Sequence, residues 1–268
     1  MPSPSEEHSA DAPRASPEDD RAAVGVLDRF WDEYGRSVGA DASGAELLPT
    51  RLARACAYAL GVDGAGLSVL ESDFRVPLGA SSDMASHAER LQFTQGEGPC
   101  LDAVSEGHDV AAGAADLRRR WPQFADALFS ETSYRAVITM PLSVTNSTRG
   151  ALDLFFVDEA RLGTLRLADT AHVSAAIVRA LRDADALDRP VAQSEWTDEF
   201  IPGWLTGAAA NHRRVVWFAV GMTMARFDVS GPDALALLRA YAYGHGDVLD
   251  EVAAALVEGR LHLKEIQN

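Results

Sequence analysis

Apolar positions recur three and four residues apart between residues 21 and 60, and then give way to short, dense apolar runs. Val24, Leu27, Phe30, Trp31 and Tyr34 predict an amphipathic helix over 21–38. Leu48, Leu52, Ala55, Cys56 and Ala59 predict a second over 45–60, stopped at Gly61. The runs 64–70 and 74–80 read as strands around the turn Glu71-Ser72-Asp73. A short helix over 83–91, a loop over 95–100, a helical turn over 101–106 and a strand over 108–112 follow, then a helix over 117–129 that kinks or begins near Pro122. Residues 135–142 and 151–157 are again strand-like, joined by a hairpin turn at 146–150. A long helix over 164–187 closes the unit. Two hairpins with helices gathered around them predict an α+β domain on one antiparallel sheet.

Residues 189–205 hold two prolines, a glycine and three acids, and read as a linker or short docking segment. Three helices are expected after it, over 207–226, 231–243 and 247–259. Ser230 is a candidate N-cap for the second, with Asp233 near its positive end. The first twenty residues are acidic and rich in Pro and Ser, and lack the basic and apolar regions of a signal peptide. No apolar run is long enough to span a bilayer. The expected organisation is a disordered tail over 1–20, a sensor-sized domain over 21–188, a linker over 189–205 and a helical module over 206–268, in a cytoplasmic protein.

Charge narrows the partners. The chain carries a net −16, which repels phosphate backbones. Residues 205–268 hold six Arg or Lys against seven Asp or Glu, a net of −1, so this segment is the least unfavourable for RNA. Cys56 and Cys100 are the two cysteines, too few for a disulfide framework and without the CxxC spacing of a zinc site. No nucleophile, base and orienting group occur together, so neither an enzyme nor a bound cofactor is expected.

The loop Gly96, Gly98, Pro99 and Cys100 is the candidate ligand-sensing site. Two glycines permit tight turns, and Pro99 keeps Gly98 out of the helical region. Cys100 then either faces a cavity or fills space as a small buried hydrophobe. Arg118-Arg119-Arg120 is either a seat for an anion or a solvated helix start balanced by nearby acids.

The string GEGPCLDAV at 96–104, with LQFTQ before it and a hairpin on each side, resembles the GAF domains that precede ANTAR modules in actinobacterial regulators. The likeness covers about 45–187 and implies a sensor of a small molecule, redox state or light. The stretch 215–256 resembles the ANTAR module itself through Ala219, Gly221 and Met224, then Ala234, Leu235, Leu237, Leu238 and Arg239, then Val252-Ala253 and Leu256-Val257. That implies a three-helix output module that binds paired RNA hairpins and prevents terminator formation. Where such modules carry a polar-basic stretch before the last helix, this chain has Gly246, Asp247, Val248, Leu249 and Asp250, and in the first helix it has Phe218 and Val220 for a frequent Gln and Lys. The RNA-binding candidates are Arg213, Arg214, Arg226 and Arg239, with Tyr243 and His245 as stacking partners. Trp217 and Phe218 read as filling the small helical core or a dimer seam. Tyr241 and Tyr243 are two apart on a helix, so at least one should be exposed. The alternative is a module that has lost RNA binding and docks on a protein through Val248-Leu249 and Phe218-Val220. A homodimer is expected through a seam of Leu167, Ala171, Ser174, Val178 and Leu181.

Overall fold

The computed structural model describes residues 17–38, 44–71, 74–144, 148–188 and 208–267. The expected tail up to residue 16, the expected linker and the centres of both hairpin turns lie outside the described residues. Helix α1 (Pro17–Val38) and helix α2 (Leu48–Leu60) pack together. Val26 and Phe30 are buried while Trp31 rides edge-on against Phe30 and Tyr34 at the rim. Pro49 in the first turn of α2 needs no N–H there, and Gly61 ends the helix in the left-handed conformation. Arg29 of α1 donates to the Ala59 carbonyl near that end.

The sheet comprises β1 (Gly64–Glu71), β2 (Phe74–Ala80), β3 (Val110–Ala112), β4 (Ala136–Ser143) and β5 (Arg149–Phe156). Its order is β2-β1-β5-β4-β3 and every pairing is antiparallel. Alternation puts Leu67, Val69, Ile138, Met140, Leu152, Leu154 and Phe156 on one face, beneath α1, α2 and α7 (Leu167–Asp188). The other face is covered by α3 (Asp83–Gln95), α4 (Pro99–Glu106), α5 (Ala114–Arg120) and α6 (Pro122–Glu131). There Val137 and Phe155 are apolar, but Ser68, Arg75, Thr139 and Asp153 are polar and buried.

Several boundaries differ from the sequence reading: α1 begins at Pro17, inside the expected tail, and two others differ for identifiable physical reasons. Helix α3 continues past the expected end at Leu91 to Gln95, because Gln92 and Thr94, which look like a polar break, are buried and hydrogen-bonded. Helix α4 begins at Pro99 rather than Leu101, since proline suits a first turn. The break before Pro122 is real, with α5 ending at Arg120 and α6 starting at Pro122.

Helices α8 (Ala208–Phe227), α9 (Gly231–His245) and α10 (Leu249–Val257) form the C-terminal bundle. Val216, Ala219 and Val220 meet Ala234, Leu235, Leu238 and Ala242, and Leu249, Val252, Ala253 and Leu256 close the core. Ser230 caps α9 by accepting from the Asp233 amide. A 3-10 turn, Leu263–Gln267, adds buried Ile266 to this core. Trp217 packs at its edge as expected, whereas Phe218 is 66% exposed, because it sits about 100° round the helix from its buried neighbour Ala219. Helix α8 lies against β2, the edge strand of the sheet, where an uncovered strand would invite pairing with another chain. Among the described residues, no helix is long and apolar enough to cross a membrane.

Candidate functional site

One guanidinium, inside the protein, faces two carboxylates. Arg75 donates from Nε to the Ser68 hydroxyl at 3.2 Å, from Nη1 to the Glu89 carbonyl at 2.9 Å, and from Nη2 to both the Glu89 carboxylate and Asp153 Oδ2, the latter at 3.1 Å. Thr139 donates to the other Asp153 oxygen, and Gln92 Nε2 donates to Oδ2 at 2.9 Å. Strands β1, β2, β4 and β5 supply Ser68, Arg75, Thr139 and Asp153, and α3 lays Glu89 and Gln92, three residues apart, across them.

The electrostatics follow from that count. Burial works against the charge on Arg75, but the surrounding Cys100, Glu89 and Asp153 groups more than offset it and hold the proton more tightly than usual. Burial raises the Glu89 carboxyl well above the usual carboxylate range, and the neighbouring Asp153 adds to this against the pull of Arg75. Two acids facing one cation therefore favour the protonated form of Glu89. Glu89 Oε1 has no hydrogen-bond partner, which costs about 1–3 kcal/mol at a buried site. Gly66 makes the seat possible, since a Cβ there would come within 2.3 Å of that oxygen.

The loop expected to sense a ligand is tied to this network. Gly98 has φ +146, and a Cβ on it would lie 2.4 Å from Gln92 Oε1. That oxygen accepts from the Cys100 amide at 3.2 Å, which satisfies an otherwise uncapped donor at the start of α4. Cys100 is fully buried with Val104 and Ala151, and burial pushes its thiol well above the ordinary value, so it is not a ready thiolate. Cys56 is likewise buried, with its thiol pushed up by burial. Gly96, at φ +69, faces the other way: a Cβ there would meet the Arg239 guanidinium at 2.8 Å. The three arginines 118–120 belong to a helix surface. Arg119 pairs with Asp116, Arg120 with Asp102, and Arg118 and Arg120 lie over the Phe129 and Trp121 rings.

The C-terminal bundle docks on α3. Arg239 Nε donates to the Phe93 carbonyl at 3.2 Å, with its guanidinium 5.3 Å from the centre of the Phe93 ring, and burial lowers its pKa. The Phe93 side chain belongs to the bundle's core, and Val248 reciprocates by entering the core beneath α3 and α6. Val248, the N-cap of α10, has no side-chain cap to offer, and the Thr94 hydroxyl accepts from the Leu249 amide at 3.0 Å instead. Arg90, four residues before Thr94, approaches Glu251 at 3.7 Å. The fit is incomplete: Arg90 Nε and Asp250 Oδ1 are buried without hydrogen-bond partners.

The RNA-binding candidates do not form one cluster. Arg239 is committed to α3. Arg226 is exposed and lies over the Phe227 ring, just before the turn into α9. Tyr243, 58% exposed, and His245 stand at the opposite end of α9, roughly 20 Å away at about 1.5 Å per residue. His245 donates from Nδ1 to the Tyr241 carbonyl at 2.8 Å and stacks on the Tyr241 ring at 3.9 Å. The Arg213 and Arg214 side chains lie outside the described residues. The sequence reading missed Arg75, Glu89, Gln92 and Asp153. A charge inside each of the strand runs FRVPLG and ALDLFF was the available signal. Among the described residues no cluster of His, Cys, Asp and Glu is set to hold a metal ion.

The sequence model of the ANTAR domain matches residues 206–257. No curated protein matches the chain. Among solved structures, the chain is similar to the GAF domain of a phosphoenolpyruvate-protein phosphotransferase from Coxiella burnetii, at 15% identity and a TM-score of 0.44, over 62% of this chain and 97% of that one. It is also similar to free methionine-R-sulfoxide reductase from Neisseria meningitidis in complex with its substrate, at 17% identity and a TM-score of 0.40, over 63% and 91%. Residues 206–257, which span most of the three-helix bundle, are thus similar to the ANTAR domain.

Proposed function

We propose that this protein is a cytoplasmic, signal-responsive regulator without catalytic activity. In this reading a GAF-like sensor over 21–188 controls, through a linker over 189–205, an ANTAR module over 206–268 that binds RNA hairpins and so governs transcription termination. The ANTAR match over 206–257 is the observation that carries it. Arg213, Arg214 and Arg226 supply phosphate contacts, and the exposed Tyr243 ring and His245 supply stacking surfaces for looped-out bases. Arg239 joins them when it leaves α3. The loop at Gly96, Gly98, Pro99 and Cys100, fastened to the buried Arg75–Glu89–Asp153 network, is where a small-molecule or redox signal acts. The functional unit is a homodimer. Of the expected seam, Leu167, which is 73% exposed, and Ala171 remain available to it, whereas Leu181 belongs to the protein's own core, Val178 packs against that core and the Ser174 hydroxyl faces the Met140 sulfur.

A second reading has a specific observation behind it. Val248 and Leu249 are buried in the contact with α3, and Phe218 and Met222, one turn apart on α8, are exposed. These features suit a module that works by protein contact and not by RNA binding. Titration of the full chain with a two-hairpin RNA, beside an Arg213→Ala/Arg214→Ala variant, separates the two. The RNA reading expects the variant to lose at least tenfold in affinity. Equal affinity of both proteins removes these arginines from the interface.

A further inference from the structure

Helix α3 supplies the N-terminal caps of two helices that belong to different domains. Gln92 accepts from the Cys100 amide at the start of α4, and Thr94 accepts from the Leu249 amide at the start of α10. Neither recipient helix caps itself with a side chain. The same helix points Glu89 and Gln92 into the buried network, and Arg90, Phe93 and Thr94 toward the ANTAR module. Gly96, which ends α3, leaves room for the Arg239 guanidinium. Displacing α3 along or about its axis therefore disturbs both sets of contacts together, because a helix turn is rigid on the scale of a hydrogen bond.

We infer that α3 is an intramolecular latch: it holds the ANTAR module closed, with Arg239 on the Phe93 carbonyl and the first turn of α10 capped by Thr94, and the buried network sets its position. The latch is built to open. Its seal pairs apolar contacts of Phe93 and Val248 with two hydrogen bonds. It also leaves Asp250 Oδ1 and Arg90 Nε buried without partners, atoms that regain water when the module leaves. Opening releases Arg239, a cation whose charge burial now disfavours, to a phosphate. This step rests on the reading that the module binds RNA. The docking itself does not.

The test uses the full chain with two substitutions. Thr94→Val keeps the shape of the side chain and removes the acceptor for the Leu249 amide. Gln92→Glu replaces the donor to Asp153 with a carboxylate and touches nothing in the module. Three quantities are read: hydrogen exchange of the 249–252 amides, radius of gyration by X-ray scattering, and affinity for a two-hairpin RNA. The latch predicts native circular dichroism, exchange at least tenfold faster at 249–252 in both variants, a larger radius of gyration, and affinity raised at least fivefold. Unchanged exchange at 249–252 in both variants overturns it. So does an expanded molecule whose affinity for an RNA that the wild type binds does not rise. If no variant binds RNA, the RNA reading fails, and the latch stands or falls on whether Gln92→Glu speeds exchange at 249–252.

Discussion

Asp153 stands in the middle of ALDLFF, on a strand buried on both faces, and Arg75 stands in a strand two places away across the sheet. Each is tolerable only because of the other, and burial beside them favours the protonated form of Glu89. Removing the cation by Arg75→Met leaves Asp153 uncompensated, and loss of one partner of a buried pair costs about 3–5 kcal/mol. Urea denaturation at neutral pH should show a fall in stability of that size. For Glu89 the sign runs the other way. Its carboxyl is raised well above the ordinary value, mainly by burial. The protonated form is therefore favoured in the fold, and its contribution is complete below the unfolded value of about 4.3. That contribution is lost as pH rises toward the raised, folded value. Glu89→Gln cannot ionise, so its melting temperature relative to wild type should climb from pH 4 upward. A constant difference across that range would mean that Glu89 is ionised in the folded protein.

At the scale of elements, the strands and most helices were legible because their apolar residues repeat at two or at three and four. The C-terminal end of α3 was not legible, and the reason is specific: Gln92 and Thr94 are polar residues at buried positions, satisfied by Asp153 and Leu249 far away in sequence and by Cys100 in the next helix. Local pattern cannot reveal a partner 61 or 155 residues away. The loop Gly96–Cys100 was recognised for its glycines and proline, but what the glycines make room for required the fold. Two substitutions separate backbone strain from that crowding. Gly98→Ala meets a positive φ and Gln92 Oε1 together, while Gly107→Ala meets a positive φ of +74 with open space around it. Gly107→Ala should cost on the order of 1 kcal/mol. Gly98→Ala should cost at least about 2 kcal/mol more, given strain plus a displaced hydrogen bond. Equal losses by thermal denaturation would show that Gln92 moves aside freely.

At the scale of the whole molecule, the two-part organisation was visible in the switch from a β-rich to an all-helical pattern near residue 189, and the ANTAR match covers 206–257. How the parts meet was not visible, because the contact joins residues 90–94 to residues 239 and 248–251 without any local signal. The acidic and apolar turn Gly246–Asp250, which looks unsuited to RNA when read along the chain, is partly explained by that contact: Val248, Leu249 and Asp250 are buried. The chain's net charge of −16 makes any RNA binding a local matter of a few arginines. The most direct test of an RNA-binding output is therefore the affinity of the full chain for a two-hairpin RNA across a salt series. Three or four phosphate contacts predict that log affinity falls with log salt at a slope of about −2 to −3, since each contact contributes roughly −0.7 on single-stranded loops. The account is contradicted if neither the wild type nor the Thr94→Val variant binds at the lowest salt.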